Sequence, residues 1–267
     1  GLNVVLSIWF VLGLGWGVPG VAIATLIAEW TGLALGLWLC RDAFAGGVWR
    51  DRARIFDRAR LVRMALVNRD IMIRSVILQL SFTTFIFLGA RMGDVTLAAN
   101  QVLMQFLEIT AYALDGFAFS AEALVGQAVG AKARGGVRRA SVMTSQWGLG
   151  GALILGLAFW FAGPAIIDLM AKDPAVQAAA RLYLPWVAAA PVIGIAAWMF
   201  DGIFIGATLT REMRNAMLVS VAVYAGAIWL LLPAFGNHGL WAALMVLNAT
   251  RGATMAAFYP RAERAAA

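Results

Sequence analysis

Gln101, Glu108, Asp115 and Glu122 recur at seven-residue intervals inside TLAANQVLMQFLEITAYALDGFAFSAEALVGQAVGAK, a stretch from Thr96 to Lys132 that is otherwise largely apolar. On an α-helix each seven-residue step drifts by only about 20°, so the four side chains form one stripe. At about 1.5 Å per residue the stripe is roughly 30 Å long, close to the hydrocarbon thickness of a bilayer. An ionised acid at the centre of a membrane helix costs about 2.5 to 3.5 kcal/mol. Three acids on one face therefore predict a water-filled cavity or buried partners, the pattern of a transport pathway. Burial favours a neutral carboxyl and nearby cations favour an ionised one. A carboxylate so placed can hold a proton in one conformation and surrender it to a cationic substrate in another. Asp115, deepest in the stretch, is the residue expected to do this. Glu108 shares its face, with a hydrogen bond to a neighbouring helix as the alternative role. Glu122 lies towards the end of the stretch, within reach of Lys132 or Arg134.

Two further charged residues lie inside apolar segments. Asp201, in WMFDGIFIG, follows Pro185, Pro191 and Gly194, and such residues permit bends in a membrane helix whose freed carbonyls can line a cavity. Arg251, in MVLNATRGATMAAF, lies about nine residues or roughly 13 Å from Pro260 along a helix. A guanidinium keeps its proton in a protein, so Arg251 needs a partner, and Asp201 lies at a similar depth in its own segment. A buried pair between Arg251 and Asp201 is expected, within the roughly 4 Å of a direct ion pair. Such a pair would make Asp201 a structural acid and leave Asp115 as the titrating group. Arg74, near one end of its segment, is read as a snorkelling residue.

These residues must be positioned by membrane helices. The chain is 62% hydrophobic and 13% charged, with a mean hydropathy of +0.81, against about 25% charged residues in soluble proteins. Apolar runs at 1–14, 20–40, 71–90, 96–127, 140–162, 177–208, 215–232 and 239–259 predict eight transmembrane helices, each near the roughly 20 residues that a bilayer needs. Strands of a barrel would show alternation over about ten residues instead. The fold class expected is all-α integral membrane.

The excess of 21 Lys and Arg over 14 Asp and Glu does not point to nucleic acid, because the bases cluster between the apolar runs. Sixteen lie in 41–70, in 131–139 and after the sixth and eighth spans, and only Arg91, Lys172 and Arg181 lie on the other side. The positive-inside rule then places the base-rich loops and both ends of the chain in the cytoplasm. Within DRARIFDRARLVRMAL, Ile55, Phe56, Ala59, Leu61 and Val62 alternate with arginines, as in a short helix on the membrane surface with anionic lipid as its partner. A solvated linker is the alternative. The single cysteine, Cys40, and single histidine, His238, exclude an internal disulfide and a His-rich metal site. No HExxH or G-x-S-x-G motif is present, so neither an enzyme nor a cofactor is expected.

Sliding the chain against itself by 219 residues pairs Gly17 with Gly236, Gly20 with Gly239, Ala24 with Ala243 and Thr31 with Thr250. Both segments would run out and back with the same orientation. The expectation is one complete six-helix lobe over 71–260, preceded at 1–40 by the last two helices of an equivalent lobe. Residues 41–70 would be a cytoplasmic linker and 261–267 a cytoplasmic tail. The chain opens inside an apolar run without Met and is read as the downstream part of a longer protein.

The segments LNVVLSIWFVLGLGWGVPGVAIAT, LAANQVLMQFLEITAYALDGFAFSAEALVGQAVGAK and DGIFIGATLTREMRNAM resemble the multidrug and toxic compound extrusion (MATE) transporters, DinF-like subfamily. The resemblance implies a twelve-helix antiporter of two lobes, of which this chain would supply the fifth to twelfth helices. It implies export of small organic, mostly cationic, compounds across a bacterial-type inner membrane by alternating access, and a requirement for the missing N-terminal lobe. Asp201 matches the family's tenth-helix acid. Sodium-coupled members carry an acid in the seventh helix, whereas the matching span IMIRSVILQLSFTTFIFLGA offers Gln79 and no acid. Protons are therefore expected over sodium. The competing functions are a flippase for lipid-linked saccharides, which would want basic residues in its cavity, and a non-transporting membrane scaffold.

Overall fold

In the computed structural model, which describes residues 1–44 and 51–266, the described residues form helices joined by short connections. It divides into two compact units, Gly1–Val62 and Arg63–Ala267. In the first, α1 (Leu2–Ile8) continues into a π-helical turn, Trp9–Gly13, and a tight connection leads to α2 (Gly17–Leu39). Phe10 stacks between Trp9 and Trp16 at 5.5 and 5.1 Å. Gly20 lets α2 close on this cluster, since a Cβ there would lie 3.0 Å from the Cβ atoms of Phe10 and Trp16. Asn3 Nδ2 donates to Thr25 Oγ1 at 3.0 Å and ties the two helices together. Two short helices follow, α3 (Arg41–Phe44) and α4 (Arg52–Ile55).

The second unit holds most of α5 (Arg58–Ala90) and all of α6 (Asp94–Gly130), α7 (Arg134–Met170), α8 (Pro174–Gly206), α9 (Thr210–Phe235) and α10 (Asn237–Arg264). Among the described residues six helices are long and apolar enough to cross a membrane, namely α2 and α5 to α9. The expected first span is shorter than that, because α1 and its π turn cover only Leu2–Gly13. The expected last span, α10, has 28 residues, ample length at about 1.5 Å each, but Asn237, His238, Asn248 and Arg251 dilute its apolar character.

Within 41–70, the stretch expected to link the lobes, the second half is largely helical. Residues 45–50 of it lie outside the described residues, and the surface helix read from DRARIFDRARLVRMAL is two pieces, α4 and the start of α5. Asp57 Oδ1 accepts from the backbone N–H groups of Ala59 and Arg60 at 2.9 and 3.3 Å, the side-chain cap that starts a helix. No proline or glycine stands between Arg58 and Asp70, so the helix propagates without a break into the apolar span.

α8 is the most buried of the span-length helices and lies between α6, α7 and α10. Glycines allow this. A Cβ on Gly202 would run into the Ala118 carbonyl, one on Gly206 into the Glu122 carbonyl, and one on Gly156 would lie 2.7 Å from the Ala188 carbonyl. Gly202 and Gly206, one turn apart, thus set the backbone of α8 directly on α6 and fix the height of Asp201 against that of Asp115. α5 differs. Its backbone keeps its distance from the other helices, and side chains attach it: Arg214 and Tyr224 of α9 donate to Asp70 and to the Ser81 carbonyl, Arg74 reaches α8, and Phe85 meets Trp241 of α10.

Two apolar clusters fill the unit, one around Phe85, Phe106, Phe159 and Trp241, the other around Leu114, Val125, Ile203 and Met255. On α10, Asn248 and Arg251 lie between them. One pair of glycines matched by the 219-residue offset shares a positive φ: Gly17 and Gly236 both have φ +55°, where a Cβ would be strained. Ala24 and Ala243 are both fully buried.

Candidate functional site: a charge centre shared by four helices

On α6 the buried residues Leu103, Phe106, Leu107, Thr110, Leu114, Ala118, Ala121 and Val125 make one stripe at helical spacing. The polar stripe starts on the opposite side and closes on it by about 20° at each seven-residue step. Gln101 and Glu108 are consequently exposed, whereas Asp115 and Glu122 are half-buried. Glu122 lines an open groove between α6 and α8 with Phe119, Ala123, Gly126, Ile205 and Gly206. Its expected pairing with Lys132 or Arg134 is absent among the described residues, and Arg134 instead reaches Glu263 at 3.7 Å. Gln79 is exposed on α5 and does not join the other candidates.

Asp201 on α8 and Arg251 on α10 meet. Arg251 Nη2 donates to Asp201 Oδ2 at 2.8 Å, and Arg251 Nη1 donates to Asn248 Oδ1 at 3.2 Å. The Arg251 side chain is 6% exposed and that of Asp201 13%, so water does little to screen the pair. Arg74 on α5 donates to the same Asp201 Oδ2. The carboxylate's second oxygen, Oδ1, is buried and without a hydrogen-bond partner among the described residues. Two guanidiniums therefore converge on one oxygen of one acid. Asp115 lies on α6 near the height of Asp201, since Gly202 of α8 meets Ala118 and Gly206 meets Glu122, yet it makes no hydrogen bond or ion pair with the described residues. Two arginines and two aspartates, from α5, α6, α8 and α10, make a centre with zero formal charge when both acids are ionised.

The reading of Arg74 as a snorkelling end residue is thus overturned. It rested on a span beginning at residue 71, whereas α5 begins at Arg58 and places Arg74 about 24 Å along the helix. A second buried ion pair also escaped the sequence reading: Arg214 Nη1 donates to Asp70 Oδ1 at 2.7 Å, and Arg69 Nη2 donates to the same oxygen at 3.0 Å. Asp70 is 5% exposed. Four residues separate Asp70 from Arg74, which puts both on one face of α5. That spacing is the signal by which the two could have been found together.

Residues 71–228 match the MatE family. The chain belongs to that family. It is 43% identical to the DNA damage-inducible protein F of Escherichia coli over 97% of its own length and 57% of the relative's. It is 26% identical to Protein DETOXIFICATION 42 of Arabidopsis thaliana over 94% of its length and 48% of the relative's. The chain thus spans about half the length of these curated relatives. Among solved structures, the Vibrio cholerae MATE transporter VcmN in its bent form superposes with a TM-score of 0.80 at 21% identity, covering 99% of this chain and 60% of that one. A MOP superfamily transporter from Pyrococcus furiosus, described as having a binding pocket of reverse polarity, superposes with a TM-score of 0.79 at 18% identity, covering 100% of this chain and 61% of that one. In this MatE chain the all-α membrane fold is therefore that of the MATE transporters, with the four-helix charge centre inside it.

Proposed function

We propose that this chain is part of a secondary active exporter that exchanges small organic cations for protons by alternating access, with Asp115 as the carrier of the exchanged charge. The observation that supports this most directly is Asp115 itself: a half-buried carboxylate on a membrane-length helix, free of any direct partner among the described residues. In the arrangement seen, such a group is open to a proton or a cation. Asp201 is assigned a structural role because two arginines occupy it. Glu108, Glu122 and Gln101 are assigned to the walls of the cation path. Gln79, exposed on α5, is assigned no part in that path. Transport is a property of the longer protein, in which α5 to α10 form one lobe and α1 and α2 the end of another, parallel repeats being a known transporter plan. The flippase alternative gains from the presence of Arg74 and Arg251 near the core. Both guanidiniums face carboxylates of this chain, however, and the open stripe remains acidic.

In proteoliposomes of the full-length protein, ethidium accumulation driven by an imposed proton gradient is expected to cease when a protonophore collapses it and to continue in the absence of sodium. Accumulation that persists with the protonophore and requires sodium would overturn proton coupling.

The base-rich end, where α5 starts and α10 ends, is assigned to the cytoplasmic face of a bacterial-type inner membrane, with anionic lipid headgroups around Arg58, Arg60 and Arg63. Lys172 is exposed at the opposite end, between α7 and α8. In a Cys40→Ser background, Lys172→Cys is expected to react with an impermeant thiol reagent added outside intact cells. Reaction only after the cells are opened would invert the orientation.

A further inference from the structure

We propose that Arg74 is a tethered counter-cation that exchanges between Asp201 and Asp115, so that an organic cation arriving at Asp115 competes with the protein's own guanidinium. This rests on the reading of Asp115 as the carrier. Arg251 needs no second acid, because Asp201 Oδ2 and Asn248 Oδ1 both accept from it and it is buried where it stands. Arg74 is therefore the surplus cation on Asp201, and a second positive charge on one buried carboxylate is poorly compensated.

Three features let it leave. A guanidinium meets a carboxylate most strongly through two parallel hydrogen bonds to both oxygens, whereas here both arginines crowd Oδ2 and leave Oδ1 unpartnered. The Arg74 side chain is the more exposed of the two, 16% against 6%. Its helix, α5, is attached through side chains instead of close backbone packing. Asp115 is the acid of α6 nearest in height to Asp201, because α8 lies on α6 with Gly202 against Ala118 and Gly206 against Glu122, the next acids on α6, Glu108 and Glu122, being two turns away on either side. The Asp70–Arg214 pair is closed on itself towards the base-rich end.

The arrangement yields a two-position device. With Asp115 empty and ionised, Arg74 leans towards it and the centre is neutral. When a proton or an organic cation neutralises Asp115, Arg74 withdraws to Asp201, the position seen in the structure. Arg74 thus opposes cation binding and assists release, so that the site does not hold its cargo too tightly to turn over.

The test is ethidium binding and transport by the full-length protein. Arg74→Gln removes the competitor while Arg251 still neutralises Asp201. The apparent Kd and KM for ethidium are expected to fall about three- to tenfold, the factor lost when a competitor fills the site most of the time, and kcat should fall with them. Arg74→Lys keeps the charge and should retain wild-type affinity. Arg74→Met, uncharged and of similar volume, supplies the same reading should Arg74→Gln not fold. In the double variant with Asp115→Asn, binding should be as weak as in Asp115→Asn alone. Unchanged or weaker ethidium binding by the neutral Arg74 variants, while Asp115→Asn weakens it, would overturn the exchange of Arg74 and leave the carrier role of Asp115 standing. Binding unaffected by Asp115→Asn would sink both.

Discussion

Asp115→Asn in the full-length protein is expected to lower proton-driven ethidium efflux by about a hundredfold or more, the lower range for loss of a positioned proton-transferring group, with the protein still inserted in the membrane. The amide keeps the shape of the carboxylate and can still accept hydrogen bonds, but it cannot cycle a proton. Because Asp115 makes no hydrogen bond or ion pair with the described residues, the substitution breaks no direct contact there. Thermal unfolding in detergent should therefore remain near that of the wild type. Activity lost together with stability would point to a structural acid; wild-type efflux would remove Asp115 from the mechanism.

Asp201 is expected to behave in the opposite way. Asp201→Ala leaves Arg74 and Arg251 facing each other without the acid that joins them, and breaking a buried pair in this manner costs about 3 to 5 kcal/mol. Arg251→Met costs less, because the Arg74–Asp201 pair survives and methionine fills much of the space. The order of unfolding midpoints should be wild type, then Arg251→Met, then Asp201→Ala. An Asp201→Ala protein as stable as the wild type would show that the two guanidiniums find other acids or water, and would return Asp201 to the list of carriers.

The two aspartates look alike in their immediate sequence, each between an apolar residue and a glycine: LDGF for Asp115 and FDGI for Asp201. Their separation into a group without a direct partner and a bridged one arises from what the neighbouring helices present. Gly202 and Gly206 bring α8 onto α6, while the face of α8 that bears Asp201 meets α10 at Arg251 and α5 at Arg74.

By itself the sequence determined the membrane class, the helical state of nearly every segment and the common face of Gln101, Glu108, Asp115 and Glu122. These depend on hydropathy and on the 3.6-residue period, which are local properties of the chain. It also carried the motifs of the family. The depth of Arg251 and its need for an acid follow from the distance to the end of its own segment, again a local quantity. Only the tertiary structure decided that Arg74 shares the acid of Arg251 and that Asp70 joins Arg214. Periodicity fixes which residues share a face of one helix, but which faces meet is set by packing between segments more than a hundred residues apart, such as Arg74 and Asp201. The start of α5 was misplaced for a related reason: the arginines between Arg58 and Asp70 lower hydropathy without breaking a helix, so hydropathy marks the end of the apolar span while the helix begins at the Asp57 cap.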